Sequence, residues 1–210
     1  MKKSLYTLAL LVCFSSFGQS AEDYDKSGRK KAQAMDYYGA ISDFTKAIEI
    51  NPNYHEPYFF RGLTKYYLKD YYGAIVDYDK FIQLNPKIAK AYYSRGIAKM
   101  KYDDYKGAIS DYTMAIKLDP NYAQAYLSRG ISNEFINNNS GAISDYTIAI
   151  VINPNFAEAY ASRGAVKVLL GDYSGACEDA RKAESLGLDV SDLKSIISQT
   201  STNFTNCNPN

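Results

Sequence analysis

Few residues in this chain could do chemistry. One histidine, His55, and three cysteines, Cys13, Cys177 and Cys207, occur in 210 residues. Zinc sites need several imidazoles or thiolates at short spacing, and these four are scattered. Ser94, Ser128 and Ser162 recur at a fixed interval. A catalytic nucleophile is one activated group, so a serine copied in register marks scaffold. Neither a Gly-x-Ser-x-Gly elbow nor a glycine-rich phosphate loop occurs. The expectation is no catalytic residue, no metal site and no cofactor. Two readings stay open for Cys177: a small buried hydrophobe, or a disulfide to Cys207 pinning the C-terminal tail.

Composition narrows the classes further. Lys+Arg number 24 against 23 Asp+Glu, which leaves no electrostatic footprint for nucleic acid or an anionic membrane. A hydrophobic share of 46% is too high for a disordered chain. At the N-terminus, Lys2 and Lys3 precede an apolar run from Leu5 to Phe14, then small and polar residues. That order describes a secretory signal peptide over 1–20, with Gly18 and Ser20 suited to cleavage before Ala21. The run is too short to span a bilayer. Leu10-Leu11-Val12-Cys13 resembles a lipobox, but Val12 stands where a small residue is wanted. The reading taken is export, to a bacterial periplasm or beyond, over lipoprotein anchoring.

The elements that position everything else are repeated. Asn51-Pro52, Asn85-Pro86, Asp119-Pro120 and Asn153-Pro154 recur every 34 residues, as do Arg61-Gly62, Arg95-Gly96, Arg129-Gly130 and Arg163-Gly164. Dividing at Ala21 gives five units: 21–54, 55–88, 89–122, 123–156 and 157–190. Each reads as two helices. In the third unit helix A covers about 89–101 and helix B about 105–118. Asp36, Asp70, Asp104, Asn138 and Asp172 precede helix B as N-cap types, and the prolines end it. One hairpin cannot cover its own apolar stripe, so neighbouring units must stack.

Tyr92, Gly96, Ala108, Tyr112, Ala115 and Pro120 fall at the signature positions of the tetratricopeptide repeat family, which the chain resembles. The resemblance implies an all-α, right-handed superhelical solenoid of five helix hairpins. Val190, Leu193, Ile196 and Ile197 add a C-terminal capping helix, and the last ten or so residues, to 210, are expected to be disordered.

Three positions depart from that signature. Arg61, Arg95, Arg129 and Arg163 stand where leucine is usual, with Lys65, Lys99 and Lys167 four residues on and Asp77, Asp111, Asp145 and Asp179 on helix B. Residues i and i+4 share a helix face, so an Arg–Asp–Lys ladder between packed helices is expected. Buried charges are tolerable only when paired. Glycines 39, 73, 107, 141 and 175 open helix B, where each costs up to about 1 kcal/mol against alanine; they suggest a close helix approach. His55 reads as a solvent-side turn residue.

The family binds extended or helical peptides on a concave face lined by helix A. Carried over by position, that face comprises Phe59, Leu63, Tyr66 and Tyr67, then Lys90, Tyr93, Ile97, Met100 and Lys101, then Gln124, Leu127 and Phe135. Of the Lys and Asn positions by which one subset of the family grips carboxylates, only Lys90 matches in type. The expected function is a non-enzymatic exported scaffold for a peptide or protein partner. The alternative is a self-associating, homo-oligomeric component of a cell-envelope complex.

Overall fold

The computed structural model describes residues 19–200 and Cys207. Short-range chemistry accounts for its helices. They pair as α1 (Ala21–Gln33) with α2 (Tyr37–Ile50), α3 (Glu56–Tyr67) with α4 (Tyr71–Leu84), and α5 (Ala89–Lys101) with α6 (Tyr105–Leu118). Then follow α7 (Ala123–Phe135) with α8 (Asn139–Ile152), α9 (Ala157–Leu169) with α10 (Tyr173–Ser185), and the single α11 (Ser191–Thr200). No strand occurs among the described residues.

Each turn between paired helices passes through one left-handed residue: Met35, Lys69, Asp103 and Asn137 at φ between 60° and 63°, and Gly171 in the fifth pair. The next residue then caps the second helix. Asp36, Asp70, Asp104, Asn138 and Asp172 each accept a bond from the backbone N–H three residues on, which is always glycine. These caps sit at ψ of 67–74° rather than fully extended, and the cap side chain lies across the glycine. A Cβ on Gly107 would meet Asp104 Oδ2 at 2.0 Å. The recurrent glycine therefore accommodates its own cap; the helix approach expected from sequence is not the cause.

Close helix approach does occur one glycine earlier in each pair. A Cβ on Gly96 would meet the Tyr112 ring at 2.6 Å. Tyr112, with Ala108 and Ala115 at i−4 and i+3, is fully buried, and Tyr78 and Tyr146 are its counterparts in adjacent repeats. Burying each such ring contributes roughly 1.5–3 kcal/mol.

Backbones approach closely between chain neighbours and also between successive odd-numbered helices, whereas the described even-numbered helices keep their backbones apart. The odd helices thus crowd together as an inner wall and the even ones splay outward, which curves the solenoid. At the C-terminal end α11 packs on α9 and α10, with Ile197 fully buried. Cys207 is also buried and is bonded to Cys177, so the expected disordered tail fails at that residue. The expected leader falls on 1–18, outside the described residues, and on Gln19 and Ser20. Ser20 forms a capping box with Asp23 at the start of α1.

Candidate protein-interaction surface

The inner wall holds three cavities. The first, about 580 Å³ between α1 and α3, is lined by Arg29, Gln33, Tyr37, Phe60, Leu63 and Tyr67 among others. The second, about 260 Å³, has Phe59, Phe60 and Phe81 at its base and His55, Asn85 and Lys90 around it. Arg29 borders both, with its guanidinium 3.9 Å over the Phe60 ring and 2.7 Å from Asp25. The third, about 320 Å³ between α5 and α7, is lined by Met100, Lys101, Asp103, Tyr105, Ile131 and Phe135.

The residues expected from sequence divide among these places. Leu63 and Tyr67 line the first cavity, Phe59 and Lys90 the second, and Met100, Lys101 and Phe135 the third. Tyr66, Tyr93, Ile97 and Leu127 are half-buried and Gln124 is exposed, but none lines these three. Phe59 is buried against Tyr78 and Phe81, so it packs beneath the second cavity instead of projecting from the wall. His55 sits in the turn before α3 and stays partly exposed, as expected, but its ring also lies against Phe81 and its Nε2 is 3.2 Å from Asn85 Nδ2. Stacking crosses repeats as well, with Tyr105 and Phe135 face to face at 4.4 Å.

Arg29, Phe60 and Glu134 lie outside the contact set expected from sequence. Glu134 had a visible signal: it occupies the wall position held elsewhere by Ala32, Tyr66, Met100 and Val168. Tyr146 Oη donates to Glu134 Oε1. Burial pushes the Glu134 carboxyl above its ordinary pKa, and the tyrosine bond only partly offsets this. No Lys or Arg among the described residues forms an ion pair with it.

Away from the wall, the ladder forms as expected. Each of Arg61, Arg95, Arg129 and Arg163 grips one aspartate through Nε and Nη2 at 2.5–3.0 Å. Lys65, Lys99 and Lys167 add 2.8–2.9 Å contacts, and Asn133 takes the lysine's place in the fourth repeat. A further arm was not expected: Nη1 of each arginine reaches back to Thr45, Asp79, Thr113 or Thr147 of the preceding repeat.

Comparison with known proteins fits this architecture. Two tetratricopeptide repeat models match residues 55–88 and 89–122. The crystal structure of MamA superposes with a TM-score of 0.74 at 31% identity, covering 76% of this chain and 93% of that one. The chain belongs to the tetratricopeptide repeat family. Its fold is that family's right-handed helical solenoid. Two further structures share the fold at 18% identity and a TM-score of 0.73: YrrB, described as "a TPR protein with an unusual peptide-binding site", and PilW, a "widely conserved type IV pilus biogenesis factor". They cover 86% and 90% of this chain and 91% and 89% of their own. A search of the curated proteins finds no match. Tetratricopeptide repeats mediate protein–protein interaction, and no described helix is long and apolar enough to cross a membrane.

Proposed function

We propose that this tetratricopeptide repeat protein is an exported, non-enzymatic scaffold holding a peptide or protein segment along its inner wall. The observation that carries the reading is the row of three cavities along the odd-numbered helices, lined mainly by aromatic and aliphatic side chains, with Arg29, Lys90 and Lys101 and the acids Glu56 and Asp103 at their edges. Apolar pockets bearing a few convergent polar groups are what anchor side chains require. Export is supported by the signal-peptide pattern of residues 1–20 and by the Cys177–Cys207 bond, since disulfides persist in oxidising compartments.

The rival reading was self-association, and its end-to-end form meets an obstacle at each terminus. Ser27 replaces the ladder arginine in the first repeat, so nothing reaches back to a preceding unit. Asp23 and Lys30 are exposed at positions where later repeats bury Ala91 and Ala98. In the fifth repeat Arg181 stands at the place of Thr147, where an incoming arginine needs an acceptor. Light scattering should give a monomer mass at every concentration. Panning a random decapeptide library should enrich binders that Tyr67→Ala and Phe135→Ala each weaken by about 2 kcal/mol. Mass that grows with concentration, with no peptide enriched, would mean that the wall binds a second copy instead.

A further inference from the structure

We propose that Glu134 makes the C-terminal half of the inner wall a reader of a basic side chain, arginine or lysine, carried by the bound segment. This rests on the wall's being the binding surface. The described buried aspartates on the ladder all have cations or amide donors: Asp43 has Lys31, Asp77 has Arg61 and Lys65, Asp111 has Arg95 and Lys99, Asp145 has Arg129 and Asn133, and Asp179 has Arg163 and Lys167. Glu134 has a neutral hydroxyl alone. Glu134 is half-buried, and a carboxylate that loses part of its hydration without a partner cation is destabilised; four other repeats fill this position with an uncharged side chain. Such a charge is stabilised by whatever cation enters the wall beside it.

The neighbourhood favours that occupant. Tyr146 holds Oε1, and Oε2 has no hydrogen-bond or ion-pair partner among the described residues. The wall positions of α7 and α9 carry Glu134 and Glu158 but neither lysine nor arginine, whereas α5 presents Lys90 and Lys101. The wall thus carries its lysines at its middle, where Asp103 lies beside Lys101, and only acids toward its C-terminal end. A segment with a basic residue next to apolar ones matches both the charge of Glu134 and the apolar surface of Ile131 and Phe135.

The test uses a random decapeptide library displayed on phage, panned on the full chain and on Glu134→Gln. The wild type should enrich arginine or lysine at one position flanked by apolar residues, and Glu134→Gln should lose that preference while melting at least as high. Replacing the selected arginine by citrulline, its uncharged isostere, should weaken binding to the wild type at least tenfold and leave binding to Glu134→Gln unchanged. Enriched peptides with no basic preference, or an equal citrulline loss on both proteins, would overturn the role of Glu134 and leave the wall standing. No enrichment on either protein would overturn the wall reading, and this one with it.

Discussion

Arg95 joins two repeats: its Nη1 lies 2.6 Å from Asp79 Oδ1 on α4, while Nε and Nη2 hold Asp111 on α6. One side chain thereby sets the spacing within a hairpin and the register between hairpins. The contact is charge-assisted and hydrogen-bonded on both sides, and Asp111 is 2% exposed.

Removing one partner of a buried pair strands the other. Arg95→Met should therefore lower stability by about 3 kcal/mol in urea denaturation. Asp79→Thr should cost less than about 1 kcal/mol, since Asp79 is exposed and a surface pair is worth little. The threonines at 45, 113 and 147 already serve there.

The Gly107 cap gives a double-mutant cycle. Gly107→Ala alone should bring no gain, because its Cβ displaces the Asp104 carboxylate and forfeits a cap worth about 1 kcal/mol. In an Asp104→Ala background the same change should stabilise by up to about 1 kcal/mol, the ordinary glycine-to-alanine preference. Thermal melts of the four proteins would measure the coupling.

Glu134 and Asp43 should respond to pH in opposite senses. The folded pKa of Glu134 is raised, so its contribution to stability is full below its unfolded value of 4.5 and is lost as pH rises through the folded value. Glu134→Gln should raise the melting temperature at pH 7 and cease to do so near pH 4. Asp43 is held below its ordinary value: burial pushes it up, but Lys31 and Ser27 outweigh that. Its contribution is present above 3.8 and is lost as pH falls through the lower folded value. Asp43→Asn should therefore flatten the acid limb of the stability curve.

The Cys177–Cys207 bond closes a loop of sequence separation 30. Cross-links of that span contribute about 3–4 kcal/mol by restricting the unfolded chain. Cys207→Ser should lower hydrogen-exchange protection in α11 and α10 and leave α1 to α4 unchanged. A free-thiol assay on the unfolded, unreduced protein should find no thiol at 177 or 207.

Removal of the proposed leader should spare Ser20. Cleavage before Ala21 would delete the Ser20–Asp23 capping box and place a new ammonium at the positive end of the helix dipole. Ser16 and Gly18 offer small residues for a cut two positions earlier. On the proposed export, the intact mass of the mature protein should report Gln19 as the first residue.

Sequence alone determined the repeat, the helix ends and the residues of the ladder. Those features are local or strictly periodic: asparagine or aspartate followed by proline at 51, 85, 119 and 153, the caps before helix B, and Arg95 and Lys99 on one helix face. Tertiary structure decided what depends on curvature and on exact backbone angles. Phe59, near the start of α3, is buried against Tyr78 and Phe81 of its own hairpin, while Phe135, the last residue of α7, stays exposed and stacks on Tyr105 of the preceding repeat. Nη1 of Arg95 reaches Asp79 because stacking brings α4 against α5. Gly107 is required by a cap ψ of 70°, which residue types do not reveal. Cys207 meets Cys177 at the end where α11 lies back against α9 and α10. Hairpins follow from neighbours along the chain; the shape of the wall follows from how the hairpins lean on one another.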